Sequence, residues 1–333
     1  MYKRQESCFG RSLYPPERLR KAEQALCTGA HLGCRLWFAS GVPSPEQAPT
    51  PEAKHLAEQA QLQADRNRAY YAKNRALHRS VVLRLTEQIR NCILVHQQPN
   101  ARIARSGALD PERVWRAPLL NDSRVFRCSE EENQPSFTVD LLLDASASRL
   151  HCQEVIAAQG TILAQSLAAC GIPVRVSSFC SLRGYTVLRV LKGFADKSLQ
   201  GIDQYFASGW NRDGLALRAA GDLVSFDPGP APRHLLILLT DASPNDSRRV
   251  PPSPEQPLGC DYGGSYGVDD AAAEVRTLRR KGLRVSAVFM GEDSSSHDAE
   301  RIYGKNLARI RGMDQLARAA GRLIQNEIRE LGD

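Results

Sequence analysis

The feature that most constrains the fold is an alternation, from residue 136 onward, of short apolar runs with stretches of helical periodicity. The apolar runs have the length of buried strands and lie at 137–143, 174–179, 186–191, 235–239 and 285–289. Helical stretches follow most of these runs, at 153–170, 213–223, 269–281 and 313–331. Buried strands that alternate with helices predict an α/β fold, with a doubly wound and mainly parallel sheet covered on both faces.

The second and third runs differ from the others because only six residues separate them, around Arg183 and Gly184. A connection of this length predicts a hairpin rather than a crossover helix. We therefore expect one of these two runs to form an antiparallel strand at the edge of the sheet.

Residues 1–135 differ in composition from residues 136–333, and we expect them to form a basic, mostly helical region in front of the α/β domain. Between residues 52 and 97 there is no Pro or Gly, and an apolar residue recurs every four positions, at Leu77, Val81, Leu85, Ile89 and Ile93. This period is typical of one stripe of an amphipathic helix. The stripe favours a contact with the core over a groove for a partner.

The net charge of +7 belongs to the N-terminal region. Residues 1–135 carry 21 Lys and Arg against 14 Asp and Glu, whereas residues 136–333 carry 23 of each kind. A basic surface can meet nucleic acid or an acidic protein. Aromatic residues make up only 6% of the chain and show no interleaved pattern for base stacking. The composition therefore favours an acidic protein partner, or simple solubility, over nucleic acid.

No apolar run approaches the ~20 residues that a membrane-spanning helix needs, and the N-terminus leads into no apolar segment of signal-peptide length. We therefore expect a cytoplasmic protein without membrane contact. The nine cysteines are scattered and form no Cys-x-x-Cys pair, so neither a disulfide framework nor a zinc knuckle is predicted. His31 lies between Cys27 and Cys34, but Gly29 and Gly33 interrupt any helix there, which favours a structural turn over a metal site.

Polar side chains follow two of the apolar runs at the point where each run ends. Asp144, Ser146 and Ser148 follow the first run, and Asp241 follows the fourth. In an open parallel sheet ligands gather beyond the carboxyl ends of the strands, so Asp144 and Asp241 are expected to face each other. Two adjacent carboxylates repel each other unless a cation or a proton lies between them. Together with the two serine hydroxyls they form a set of hard oxygen ligands suited to Mg²⁺ or Mn²⁺.

The same residues also admit a structural interpretation. Ser148 could cap the N-terminus of the helix that follows it, and Asp241 could open a turn. The presence of both strand ends in one alternating chain favours the metal site.

The pattern Asp144-x-Ser146-x-Ser148 after a buried strand, with Asp241 after a later strand, resembles the metal-ion-dependent adhesion site of von Willebrand factor A domains. The resemblance implies that these residues hold a divalent cation. It also implies an open position on the cation, which an acidic side chain of a partner can occupy.

The third loop of the site departs from that family. The loop normally supplies a threonine, and the matching segment here, 208–217, contains none. We expect Asn211 or Asp213 to take its place. Asp213 would raise the negative charge of the ligand set, whereas Asn211 would keep it close to the usual pattern.

Three further segments sharpen the resemblance: Trp-Asn-Arg-Asp-Gly at 210–214, Leu-Thr-Asp-Ala-Ser-Pro-Asn-Asp at 239–246 and Tyr-Gly-Val-Asp-Asp at 266–270. They are similar to the nitric oxide reductase activation protein group, which itself resembles the cobaltochelatase subunit that carries an A domain. Members usually act beside an AAA+ ATPase of the MoxR type, in metal insertion or in the maturation of a target complex. The resemblance therefore implies such an ATPase and its client as partners.

The sequence contains no P-loop motif and no glycine-flanked serine nucleophile, so we expect no enzyme activity and assign nucleotide hydrolysis to a partner. The leading hypothesis is an adaptor that binds a partner's Asp or Glu through the cation. One alternative is a divalent-metal-dependent hydrolase of phosphoesters, with His151 or Asp246 as the general base. A second alternative, an RNA-binding A-domain protein, rests on the basic region.

The segment 243–267 is long, rich in Pro, Gly and Ser, and without apolar periodicity. Connections of this length without regular structure are often functional. Tyr262, Tyr266 and Trp210 could form an aromatic rim around the cation, or they could pack the loop against the domain. Both interpretations stay open at the level of the sequence.

Overall fold

The computed structural model describes residues 3–332 apart from 42, 44, 49, 97–99, 131–136, 253, 255 and 256. The strands are β1 (Arg11–Ser12), β2 (Arg35–Ser40), β3 (Asn100–Ala104), β4 (Ala108–Leu109), β5 (Phe126–Glu130), β6 (Phe137–Asp144), β7 (Val174–Leu182), β8 (Tyr185–Lys192), β9 (Arg233–Thr240), β10 (Asp246–Val250), β11 (Cys260–Tyr262), β12 (Arg284–Phe289) and β13 (Leu307–Arg309). The helices are α1 (Lys3–Phe9), α2 (Pro16–Leu26), α3 (Pro51–Lys73), α4 (Arg75–His96), α5 (Arg116–Leu120), α6 (Gln153–Ala169), α7 (Asp213–Phe226), α8 (Gly264–Arg280), α9 (Ser296–Tyr303) and α10 (Met313–Gly332). Among these described residues, no helix is both long and apolar enough to cross a membrane.

The centre of the molecule is a mixed sheet with the strand order β1-β2-β8-β7-β6-β9-β12-β13. Pairing is parallel between β6 and both of its neighbours, between β12 and both of its neighbours, and between β2 and β8. β7 and β8 form the predicted antiparallel hairpin. The expected α/β fold with a mainly parallel sheet is therefore confirmed.

β6 lies inside this sheet and carries the first half of the candidate site. All eight of its residues are buried. Because successive side chains of a strand point to opposite faces, this burial shows that both faces of the sheet are covered. The covering helices pack in two groups, one of α3, α4, α6 and α10 and one of α2, α7, α8 and α9. Leu143, Ile162 and Leu215 are completely buried in the resulting core.

We expected either β7 or β8 to lie at the edge of the sheet, and this expectation is wrong because both strands are internal. β2 pairs in parallel with β8 along its whole length, from Arg35 opposite Tyr185 to Ser40 opposite Val190. The four middle residues of β2 are all buried. We did not predict β2, because its apolar run is short and lies in a region that we expected to be mostly helical.

The sheet therefore extends across the predicted division between residues 1–135 and 136–333. β1 and β2 come from the first range and complete one side of the sheet. The division itself falls among residues 131–136, which lie outside the described part of the chain. The remainder of the N-terminal region is mostly helical, as expected, and includes a small antiparallel sheet of β3, β5 and β4.

The long helix predicted in the N-terminal region is interrupted once, between α3 and α4. The side chain of Asn74 at the break donates a hydrogen bond of 3.0 Å to the carbonyl of Tyr70. Such local bonds between a side chain and the backbone compete with continuation of a helix. Val81, Leu85 and Ile89 of the predicted stripe are buried, whereas Leu77 at its start is exposed. Because α4 packs against α6 and α10, the role as a core contact is confirmed for these three buried residues and is wrong for Leu77.

Candidate metal centre

Asp144 is the last residue of β6, and its side chain is completely buried at the carboxyl end of the strand. Its Oδ1 accepts a hydrogen bond of 2.9 Å from the backbone N–H of Ser146, and its Oδ2 accepts a longer one of 3.4 Å from the hydroxyl of Thr240. The hydroxyl of Tyr205 donates to the backbone carbonyl of Asp144. These contacts fix the carboxylate at the sheet edge and surround it with neutral donors.

Asp241 lies beside Asp144, because β9 is the direct parallel neighbour of β6 and Leu239 pairs with Leu143. Its Oδ1 accepts a hydrogen bond of 3.2 Å from the backbone N–H of Ser243. That bond closes a turn in which Ala242 has the left-handed φ of 53°. Asp241 therefore both lies beside the end of β6 and begins a turn. Its interpretation as a candidate metal ligand and its interpretation as a turn residue are thus compatible.

Hydroxyl groups connect the ends of the two strands. The Oγ atoms of Ser146 and Ser148 lie 2.9 Å apart, and Ser148 Oγ donates a hydrogen bond of 2.7 Å to Asp241 Oδ2. Ser146 is buried, whereas Ser148 is exposed. Ser148 lies inside the 3₁₀ turn Ala147–Cys152, and α6 begins after Cys152 without a side-chain cap. In contrast to the alternative structural interpretation, Ser148 therefore does not cap α6, and its hydroxyl donates to Asp241 instead.

The third loop places Asn211 and Asp213 at the start of α7. The amide nitrogen of Asn211 donates hydrogen bonds to Asp213 Oδ1 at 3.1 Å and to the carbonyl of Ser243 at 3.0 Å. Its Oδ1 accepts a bond of 3.3 Å from the N–H of Asn245. Both ends of the Asn211 side chain are thus bonded within the protein. Asp213 is 1% exposed, and its Oδ2 is buried without a hydrogen-bond partner.

The carboxylates of the site influence one another. Burial, and then repulsion by Asp241, raise the pKa of Asp144 to about 7. Burial also raises the pKa of Asp213 well above its usual range, with further repulsion from Asp144 and then Asp241. A pKa shifted by burial together with specific charged neighbours is typical of functional sites.

The donor set fits a hard cation. Among the residues that the structure describes, no three His, Cys, Asp or Glu side chains converge closely enough to hold a metal ion. A cation at this edge must therefore use serine hydroxyls beside carboxylates, which are the oxygen donors that Mg²⁺ and Mn²⁺ prefer. The unpartnered Oδ2 of Asp213 agrees with this, because buried polar atoms are normally satisfied by protein, water or an ion.

Two buried arginines belong to the site and were not predicted. Arg149 forms an ion pair with Asp241, in which both side chains are less than 10% exposed. Arg212 has a completely buried side chain and donates to Asp246 Oδ2 at 2.9 Å and to His31 Nδ1 at 3.0 Å. These contacts favour the structural role of His31 over metal binding. The one feature of the sequence that could have indicated their role is that each arginine is adjacent in the chain to a candidate metal ligand.

The segment predicted as an irregular loop contains the antiparallel hairpin of β10 and β11. Tyr262 at its end is completely buried, donates a hydrogen bond of 2.7 Å to Asp270 Oδ2 and accepts one of 3.1 Å from the N–H of Gly214. Tyr262 therefore packs the hairpin against α7 instead of forming a rim. Trp210 is 46% exposed, and Tyr266 is half-buried with its ring 6.4 Å from that of Tyr262.

The two candidates for a general base differ in their surroundings. Asp246 is buried and its Oδ2 is held by Arg212, while its Oδ1 accepts a bond of 3.4 Å from the N–H of Arg248. His151 is exposed within the 3₁₀ turn that contains Ser148.

The topology decides the fold type. A buried parallel strand ends in Asp144-x-Ser146-x-Ser148, and its direct neighbour ends in Asp241, within one helix-covered sheet. This is the doubly wound, von Willebrand A-type sheet arrangement that the sequence predicted. The region before it is mostly helical and adds β1 and β2 to the sheet.

No family model matches the chain. Over 141 residues, which are 41% of the chain, it is 27% identical to Protein NorD of Brucella suis biovar 1 (strain 1330). It is 26% identical over the same length to Protein NorD of Brucella abortus (strain 2308). The match spans about a fifth of these curated relatives, 20% of each. The chain is thus similar to the NorD group, as the sequence motifs indicated.

The chain is also similar to solved structures, at TM-scores below 0.5. The manganese-loaded TRAP protein of Plasmodium vivax is 16% identical, with 59% of this chain and 74% of that chain covered and a TM-score of 0.41. Proximal thread matrix protein 1 of the mussel byssus, with a zinc-occupied MIDAS motif, is 15% identical, with 59% and 46% covered and a TM-score of 0.42.

Proposed function

We propose that the chain is a non-enzymatic adaptor that binds a partner protein through a divalent cation, Mg²⁺ or Mn²⁺, at the edge of its A domain. Asp144, Ser146, Ser148 and Asp241 would hold the cation, directly or through water. The cation supplies positive charge and an open position for an acidic side chain of the partner. The observation that carries this proposal is that buried Asp144 and Asp241 end neighbouring parallel strands with two hydroxyls between them.

Of the two candidates in the third loop, the contacts favour Asp213 as the residue that replaces the usual threonine. Asn211 is bonded at both ends of its amide. Asp213 Oδ2 has no hydrogen-bond partner, and burial, followed by the charges of Asp144 and Asp241, raises the pKa of Asp213 well above its usual range. In this proposal Asp213 contributes negative charge beside the cation.

We propose an AAA+ ATPase of the MoxR type and its client protein as the partners. The support for this proposal is the resemblance of the sequence motifs at 210–214, 239–246 and 266–270 to the nitric oxide reductase activation protein group. The positive charge of residues 1–135 would provide a second contact, which an acidic surface of the ATPase would complement.

Thermal unfolding with and without Mn²⁺ tests the metal site. A ligand that binds only the folded state adds about 2.7 kcal/mol of stability at one hundred times its dissociation constant, so Mn²⁺ should raise the melting temperature of the wild type. Asp144→Ala should abolish the shift. Asp65→Asn, in an exposed ion pair on α3, is the matched control and should keep it. Equal shifts in the wild type and Asp144→Ala would place the bound ion elsewhere.

Binding to the purified MoxR-type ATPase of the same host tests the adaptor role. Binding should require Mg²⁺ or Mn²⁺, disappear in EDTA, and disappear in Asp144→Ala with the metal present. Binding that survives both changes would move the contact to the basic N-terminal region and overturn the metal-bridged adaptor.

A further inference from the structure

Arg149 follows Ser148 directly, and its side chain turns into the metal edge of the sheet, where only 8% of it is exposed. Its Nη2 donates to Asp241 Oδ2, its Nη1 donates to the carbonyl of Met290 at 3.2 Å, and its Nε lies 3.4 Å from the hydroxyl oxygen of Ser148. Arg149 thus contacts two of the proposed ligands at once, Ser148 and Asp241.

The two facing carboxylates are therefore not equivalent. Asp144 accepts its hydrogen bonds from a backbone N–H and a hydroxyl, which are neutral. Asp241 receives a guanidinium and a hydroxyl on Oδ2 and a backbone N–H on Oδ1. Hydrogen bonds between a guanidinium and a carboxylate are stronger than those between neutral groups. The positive charge of the Arg149 guanidinium thus already balances the negative charge of Asp241.

We propose that Arg149 is an internal competitor of the divalent cation and sets how tightly the A domain binds metal. This inference rests on the metal-dependent function proposed above. A cation held by Asp241 would share that carboxylate with the guanidinium of Arg149. Two positive charges that share one carboxylate repel each other strongly even at the effective dielectric constant of about 20 that suits protein sites. Metal binding must weaken the Arg149–Asp241 pair or tolerate this repulsion, and both lower the affinity.

The pair also stabilises the metal-free protein. Without Arg149, the carboxylate of Asp241 would be buried beside Asp144 with no positive partner, which is unfavourable. A neutral residue at position 149 should therefore lower stability in EDTA and increase the stability gained from metal. An acidic side chain of a partner adds negative charge beside the guanidinium, so the cation and the partner should bind cooperatively.

Calorimetric titration of the full chain with Mn²⁺ tests the competition. Arg149→Gln and Arg149→Met, two neutral variants, should bind Mn²⁺ about tenfold more tightly than the wild type or better, because the competing charge is gone. Arg149→Lys keeps the charge and should stay within about threefold of the wild type. Arg175→Gln is the matched control, because Arg175 forms a buried pair with Asp140 in the same sheet at 2.6 Å and should leave the affinity unchanged.

Thermal unfolding in EDTA and in Mn²⁺ provides a second readout, in which the neutral variants should melt lower than the wild type in EDTA and gain more from Mn²⁺. A neutral variant that folds only when Mn²⁺ is present supports the proposal as well. If the wild type binds Mn²⁺ and the neutral variants bind with equal or weaker affinity, the competition is refuted while the metal site stands. If neither the wild type nor the neutral variants bind Mn²⁺, both proposals fail.

Discussion

The Nε of Arg212 donates a hydrogen bond of 3.0 Å to Nδ1 of His31, and this contact joins the third loop of the candidate metal centre to the N-terminal region. Arg212 also donates to the backbone carbonyl of Ala30. Because Arg212 stands between Asn211 and Asp213, the segment around His31 helps to hold these candidate ligands in place. The N-terminal region therefore supports the site in addition to carrying positive charge.

Arg212→Met should lower the free energy of unfolding by about 3–5 kcal/mol, because it leaves Asp246 buried without its positive partner. Unfolding in urea measures this loss. Arg68→Met removes an arginine from an exposed pair with Asp65 and should cost under about 1 kcal/mol. Similar small losses in both variants would show that the buried network contributes little.

His31 should contribute to the decrease in the free energy of unfolding at acidic pH. Burial, and then repulsion by Arg218 and Arg212, lower the pKa of His31 from 6.5 to about 2. The folded protein thus keeps the ring neutral, while the unfolded chain takes up a proton below pH 6.5. This contribution to stability is complete above pH 6.5 and declines below it by up to about 1.4 kcal/mol per pH unit.

The variant His31→Gln isolates that contribution. The glutamine side chain does not titrate, and its amide oxygen can still accept the hydrogen bond from Arg212. Urea unfolding near pH 7 and near pH 5 should show a smaller loss of stability in His31→Gln than in the wild type. Equal losses would mean that His31 is protonated in the folded protein.

Asp213→Asn should have opposite effects on the metal-free protein and on metal binding. Removal of a carboxyl group whose pKa is raised well above its usual range by burial, and then by the charges of Asp144 and Asp241, should stabilise the protein in EDTA near pH 7. The same change removes negative charge from the cation and should weaken Mn²⁺ binding. Asn211→Ala, whose amide is bonded within the protein, should weaken binding less. If Asn211→Ala has the larger effect in calorimetry, the asparagine is the residue that replaces the threonine.

Mn²⁺ affinity should rise between about pH 6 and pH 8. Burial and the charge of Asp241 raise the pKa of Asp144 to about 7, so at lower pH a proton occupies the carboxylate that the cation requires. Below pH 7 the affinity should fall by up to about tenfold per unit, with release of a proton on binding. Calorimetry in two buffers of different ionisation enthalpy measures both quantities. A flat affinity without proton release would exclude Asp144 as a ligand.

The α/β order and the facing of Asp144 and Asp241 could be predicted because both depend on local patterns. Apolar runs of strand length mark β6 and β9, and polar residues at their carboxyl ends must meet if the strands are parallel neighbours. β2 could not be recognised in the same way. Its residues Leu36–Ala39 form a short apolar run within a mostly helical region, and they become a strand through pairing with distant β8.

The roles of the arginines depend on tertiary contacts that no local pattern reveals. Arg149 meets Asp241 across 92 positions, and Arg212 meets His31 across 181. An arginine beside a candidate ligand is ordinarily a solvated surface residue, and its burial here follows from the packing of the surrounding loops.

The central claim is that Asp144, Ser146, Ser148 and Asp241 hold a divalent cation, and anomalous scattering from crystals grown with Mn²⁺ tests it most directly. We expect wild-type crystals to show an anomalous peak about 2.1 Å from the hydroxyl oxygens of Ser146 and Ser148. We expect Asp144→Ala crystals to show none there. A wild-type crystal without a peak at this edge of the sheet, or a peak that persists in Asp144→Ala, would contradict the account.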